Sequence, residues 1–161
     1  MNTRHRRLAA HALQVDEALL TGESLFMTTF TNAAYQQLIA HRDVIGKTMR
    51  QALPELAGQD FYDLLDRVYR TGERYVGYAA PVTLQRAPDA DPEQRLLDFI
   101  YQPVRDAAGA ITGIFVEGTD VTERERAMAA VRENARRLAF LDRLGRATAS
   151  LHDADEILKT S

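Results

Sequence analysis

The seven residues Gly118-Thr119-Asp120-Val121-Thr122-Glu123-Arg124 join two segments that cannot share one secondary structure. Ala110 to Glu117, before them, is rich in Ile, Val and Phe, which fit a pleated surface. Arg126 to Thr148, after them, holds no proline and a single glycine among Ala, Arg, Glu and Leu, the composition of a helix. The chain is therefore expected to pass from strand to helix within about two residues. Asp120 is placed to accept from exposed amides of the first helical turn, and Glu123 completes the spacing of a capping box. No Gly/Ser-rich spacer intervenes, so a shift of the sheet can pass into the helix instead of being dissipated. An ordinary strand-to-helix cap fits the same residues, and the motif alone leaves both readings open.

A length of 161 residues suits one compact domain with an appendage. The net charge of -3 has both signs interspersed, which argues against a nucleic-acid or anionic-membrane footprint. With no cysteine, disulfides, thiolate metal sites and cysteine nucleophiles are excluded. No apolar run approaches the ~20 residues of a membrane span, and Met1 to Gln14 lacks an apolar signal core. The expectation is a soluble, cytoplasmic piece.

Leu8, Ala12, Val15 and Leu19 recur at spacings of three and four, which predicts a flanking helix over residues 1–17. Its basic group Arg4, His5, Arg6, Arg7 reads as a solvated helix start. Ala18 to Leu20 and Ser24 to Phe30 flank Thr21-Gly22-Glu23 as a hairpin. Thr31 or Asn32 caps a helix from Ala33 to about Ala40, and a short helical piece from Met49 to Leu53 stops before Pro54. Asp60 to Arg70 forms a third helix, with Phe61, Leu64, Leu65, Val68 and Tyr69 in one stripe and Gly72 as its C-terminal cap. The period then changes to two. Arg74 to Gln85 is a strand with Val76, Tyr78, Ala80, Val82 and Leu84 on one face, and Arg95 to Arg105 and Ile111 to Thr119 form a hairpin around Asp106 to Gly109.

Those last two strands are apolar on both faces. Phe99 and Tyr101 alternate with Ile100 and Val104, and Ile111 and Phe115 with Ile114 and Val116. An antiparallel sheet with one wet face alternates apolar with polar, so something is expected to cover the outer side. The N-terminal segment, of this subunit or a second one, is the natural candidate; half-exposed edge residues are the plainer reading.

Asn32-Ala33-Ala34-Tyr35, Gly46, Thr71-Gly72-Glu73, Tyr101-Gln102-Pro103-Val104-Arg105-Asp106, Gly109, Gly113 and Asp120-Val121-Thr122-Glu123-Arg124 together resemble a bacterial PAS domain. The likeness is to those of sensor histidine kinases and related multidomain signalling proteins. It spans roughly Val15 to Arg126. It implies an α+β PAS fold: a five-stranded antiparallel sheet of order 2-1-5-4-3, helices on one face and a pocket between them. It further implies a domain over 18–120 and a signalling helix over 121–151. Val131 and Leu138 share one heptad position, and Asn134 and Leu141 share another, so a coiled coil is expected there, with Leu8 and Val15 as further dimer contacts. A helix packing back on its own domain is the competing reading. Leu151-His152 is expected to break the helix, and Asp153-Ala154-Asp155-Glu156 to open a truncated GAF-like domain over 152–161.

No catalytic set, phosphate loop or metal spacing is present. None of the four histidines lies on the Asp60 to Arg70 helix, where haem-binding relatives of the resembled family place their ligand. The cysteine of the family's flavin-adduct photosensors is missing as well. Neither haem nor flavin is therefore expected, and metal sites are not. The resemblance places Tyr35, Leu38, Phe61, Leu65, Tyr69, Tyr78, Phe99, Ile100 and Phe115 around the pocket, which suits a small apolar ligand, with a closed core and no ligand as the plainer reading. Three readings remain. The first is a non-catalytic, homodimeric sensory module relaying a signal through Asp120, Val121, Thr122, Glu123 and Arg124 to an output domain of the same chain. The second is a ligand-binding input to a phosphatase or cyclic-dinucleotide enzyme, and the third is a structural dimer adaptor.

Overall fold

The computed structural model describes residues 9–15 and 26–159. Strands β1 (Ala9–Val15), β2 (Phe26–Thr31), β3 (Tyr75–Leu84), β4 (Glu93–Arg105) and β5 (Ile111–Asp120) form one antiparallel sheet in the order β2-β1-β5-β4-β3. Helices α1 (Ala33–Leu38), α2 (Met49–Ala52) and α3 (Phe61–Thr71) lie between β2 and β3, with a 3-10 turn at Pro54–Leu56. The long α4 (Thr122–Lys159) follows β5. The sheet order and the helical insertion match the expected architecture.

Two expected elements differ. Residues 9–15 are an interior strand of the sheet, between β2 and β5, where Ala12 pairs with Phe30 on one side and Phe115 on the other. Helical spacing in a short alanine-rich stretch is a weak preference, and ladder pairing along both edges overrides it. Val15 consequently pairs with Phe26 in the sheet. Leu8 and the turn Thr21-Gly22-Glu23 lie outside the described residues. The second difference is in α4, which runs through Leu151-His152 without a break. Residues 149–156 hold neither glycine nor proline, so nothing there interrupts the hydrogen-bond ladder and Asp153 sits in a helix interior.

Local chemistry fixes the short helices. Asn32 Oδ1 accepts from Tyr35 N at 2.9 Å and from Ala10 N at 3.0 Å, capping α1 and tying it to β1. Thr48 and Gln51 form a full capping box on α2. Gly72 ends α3 at φ 69, and its N–H donates to Val68 O at 2.9 Å. Arg42 pairs with Glu55 at 2.6 Å, and Glu55 also accepts from Gln85 N at 3.2 Å, which joins the helical region to the end of β3.

The core lies between these helices and one face of the sheet. Phe26, Ile39, Leu65 and Ile114 are fully buried there, each worth about 1.5–3 kcal/mol of burial. A bulge in β3 sets which of its residues join them. Gly77 pairs with Phe99 but Ala80 with Leu97, so β3 carries one residue too many. The facing parity therefore flips at Tyr78-Ala79. Val82 and Leu84 are buried, whereas Tyr78 is 80% exposed. The opposite face of the sheet is also apolar: Val76, Ile100 and Phe115 are half-buried on it, and Val104 is exposed.

By itself, α4 is exposed along Arg126 to Lys159. Its large apolar side chains include the expected Val131, Leu138 and Leu141, and also Leu144, Leu151 and Leu158, a row seven residues apart that the expected seam omitted.

Candidate functional site

Two features stand out in the domain, a cavity and a polar latch. The cavity, of about 70 Å³, lies between the helices and the inner sheet face. Its walls are Tyr35, Leu38 and Ile39; Met49, Leu53, Leu56 and Phe61; Val82 and Leu84; Leu97, Phe99 and Tyr101; Val116 and Gly118. Phe99 anchors an aromatic group, with Tyr101 at 4.8 Å, Phe61 at 5.7 Å and Tyr75 at 5.8 Å between ring centroids. The polar groups of the lining side chains are phenols. Burial raises the pKa of Tyr35, with Arg42's charge opposing and Glu55's adding to it. Burial, then Tyr35 and Tyr75, raises that of Tyr101. Both hydroxyls are therefore protonated at neutral pH.

Of the nine expected pocket residues, Tyr35, Leu38, Phe61 and Phe99 line this cavity. Leu65 is buried in the core beside it. Tyr69 packs edge-on against Phe26 at 6.1 Å instead. Tyr78 and Ile100 face away, lining a separate depression with Asp98 and Glu117. Phe115 also faces away, since its neighbours Ile114 and Val116 are the buried ones. Alternation had grouped Phe99 with Tyr101, and Ile114 with Val116, without saying which group was inside. Polar partners carry that signal. The outer set includes Asp98, Gln102 and Glu117, whereas Leu97, Phe99 and Tyr101 contain no charge.

The latch lies where β5 ends. Asp120 Oδ1 accepts from Thr122 N at 2.9 Å and from the Thr122 hydroxyl, and Asp120 Oδ2 accepts from Arg95 at 3.1 Å. The Thr122 oxygen accepts in turn from Leu96 N at 2.8 Å, and Val121 N donates to Leu96 O at 2.8 Å. Thr122 is 1% exposed. This is not the expected capping box. Asp120 is still a strand residue and bonds only two positions ahead, and Glu123 makes no reciprocal bond to it. The carboxylate instead orients the Thr122 hydroxyl toward β4. Arg95, which also pairs with Glu93 at 2.7 Å, was the member the sequence reading missed. Arg124 pairs with its neighbour Glu125 at 2.9 Å. Among the described residues no group of three His, Asp or Glu could hold a metal, and no helix is long and apolar enough to cross a membrane.

Solved structures with this fold include an RNA-binding light-oxygen-voltage receptor, 19% identical, TM-score 0.55, matched over 80% of this chain and 33% of its own. The chain thus spans about a third of that receptor's length. A PAS domain of a protein from Colwellia psychrerythraea is 12% identical, TM-score 0.51, matched over 72% of this chain and 87% of its own. VqmA bound to DPO is 23% identical, TM-score 0.50, matched over 71% and 52%. At these identities the likeness is one of fold. The sequence pattern described as the PAS fold matches residues 11–126, most of the chain, and the chain belongs to the PAS-fold family.

Proposed function

We propose that this PAS sensory domain is a non-catalytic, parallel homodimeric relay that passes a change in its sheet to α4, and through it to an output domain of the same protein. A sensor histidine kinase is the favoured whole. The latch carries this reading. Leu96 on β4 and Asp120 on β5 both bond directly to Val121 or Thr122, so sliding β4 against β5 must displace the start of α4. The exposed apolar rows of α4 support a dimer, because a second copy of the helix would cover them, and the half-buried apolar outer sheet face offers it further area. Spin labels at Arg136→Cys test this cleanly, the chain having no other cysteine. A dimeric chain with one narrow label-to-label distance, broadened in Asp120→Ala, is expected. A monomer by light scattering at micromolar concentration, or an unchanged distribution in the variant, sinks the proposal.

The reading includes the absence of haem and flavin. No cysteine is present to form a flavin adduct, α3 carries no histidine, and a cavity of about 70 Å³ is far below the ~300 Å³ at which sites for larger ligands begin. A visible absorption band that survives gel filtration would overturn this part. A second reading, a small-ligand input, is favoured by the cavity itself.

A further inference from the structure

We infer that the second half of α4 carries a separate self-association surface, on which a further copy of this chain docks antiparallel and ties neighbouring dimers together. This contact is distinct from the parallel pairing proposed above, which lies nearer the start of the helix.

The helix has two apolar rows, and they lie on opposite sides. Met128, Val131, Ala135 and Leu138 recur three and four residues apart and make the first. Continued at that spacing, the row reaches Asp142 and Gly145 and lapses. Phe140, Leu144, Ala147, Leu151, Ala154 and Leu158 make the second, again three and four residues apart. At about 100° per residue, the two rows are centred roughly 160° apart around the helix. The helix is unbroken where one gives way to the other, and the side chains of both are exposed. A parallel pair that closes on the first row therefore turns the second outward, and a different copy has to cover it.

Size decides the orientation. Leucine and alanine alternate from Leu144 to Leu158 along the second row. In a parallel pair like meets like, so wide leucine layers alternate with narrow alanine layers that leave gaps. An antiparallel pair sets Leu144 across from Ala154 and Ala147 across from Leu151. Each inner layer then joins one large side chain with one small, and Phe140 meets Leu158 at either end.

Charge agrees. The same register sets Arg143 level with Asp155, and the basic stretch from Arg143 to Arg146 alongside the acidic stretch from Asp153 to Glu156. Parallel pairing would set each stretch beside its own copy. Arg146 already pairs with Asp142 at 2.8 Å, so the reach across falls to Arg143. Exposed pairs of this kind orient a contact more than they strengthen it. Alanine in each inner layer also keeps the buried area small, so this is the weaker contact and forms above the concentrations at which the parallel dimer exists.

The test mixes two single-cysteine chains, Ala147→Cys and Leu151→Cys, the protein having no cysteine of its own. Air oxidation at submillimolar concentration should give a disulfide of mixed mass in excess of its statistical share, whereas a parallel contact would join each variant to itself. In sedimentation of the parent, species larger than the dimer should appear in the same range. Leu151 is 72% exposed, so Leu151→Gln should fold. It should weaken those species more than about tenfold, since each contact buries two copies of Leu151. Leu138→Gln, in the first row, should leave the mixed disulfide in place. Self-linked chains alone, a mixed disulfide at or below its statistical share, its loss in Leu138→Gln, or association unchanged in Leu151→Gln overturns the inference. A chain that fails here but passes the spin-label test loses this inference alone; one that forms the mixed disulfide and fails that test loses the relay.

Discussion

Asp120→Ala removes the acceptor for Thr122 N–H, for the Thr122 hydroxyl and for Arg95. The Arg95 arm counts least, because its partners are 21% and 31% exposed and such pairs contribute about 0–1 kcal/mol. The arms to Thr122 count more, since that residue is buried and the acceptor is charged. Together a local loss of about 1–3 kcal/mol is expected, against roughly 5–15 kcal/mol for the whole domain. The sheet should stay folded while the latch opens. Native-state hydrogen exchange reads this directly: the amides of Thr122 and Leu96 should exchange roughly 5–150-fold faster, at a factor of ten per 1.4 kcal/mol. Amides of Phe99 and Ile114 should keep their protection. Thr122→Val separates the two halves of the latch. It removes the oxygen that receives Leu96 N–H but keeps the carboxylate for the residue 122 amide, so Leu96 alone should speed up. Unchanged exchange at Leu96 in both variants would refute the reasoning, as would protection lost evenly across the sheet.

Glu55 tests the joint between helices and β3. Burial pushes its carboxyl up, but hydrogen bonds from Arg42, its own backbone and Gln85, with Arg42's charge, carry it below the ordinary value. A depressed folded pKa stabilises above the unfolded value of about 4.3 and is lost as pH falls through the folded one. Urea melts should therefore show a steady gap between the parent and Glu55→Gln from pH 7 to 5, narrowing below pH 4; a gap of constant size down to pH 3 contradicts this. The raised phenols act at the other end. Stability from keeping Tyr35 and Tyr101 neutral is present below about pH 10 and lost as pH rises beyond it, so Tyr101→Phe should flatten the alkaline decline. In Gly77→Ala the new Cβ would collide with the Phe99 ring, and a loss of about 1–3 kcal/mol in denaturant unfolding is expected.

The sequence was most legible where a period was strong and one-sided. The α3 stripe, its Gly72 cap, the 95–105 and 111–119 hairpin and the passage into α4 all appear as expected. It misled where competing patterns were short. Residues 9–15 carry helical spacing, yet a place between two strands decides them through backbone pairing that no side-chain pattern records. At the latch, Asp120 and Glu123 had the spacing of a cap. The carboxylate bonds Thr122 two residues on, and its other partner is Arg95, 25 residues earlier in the chain, which only the β4–β5 register brings alongside. The pocket was half legible for a similar reason: alternation sorts residues into two faces, and on a sheet apolar on both sides it does not name the inner one.

The β3 bulge makes the cavity possible at all. On an unbroken strand, the parity that points Tyr75 and Gly77 inward would point Val82 and Leu84 inward only if the count between them were even, and it is odd. The extra residue resolves this by placing Tyr78 outside and Ala79 at φ 45, a conformation that costs a non-glycine residue about 1–3 kcal/mol. Asp98, on the outer face of β4, offsets that strain: its carboxylate accepts Ala79 N at 2.7 Å, at the point where the ladder is interrupted. Gly77 contributes by omission, because the space of its missing side chain is filled by Phe99, the ring at the centre of the aromatic group. The cavity wall is thus set by a strained alanine, a pinning carboxylate and a bare glycine. None of these three lines it with a functional group, and each acts by deciding which way its neighbours face.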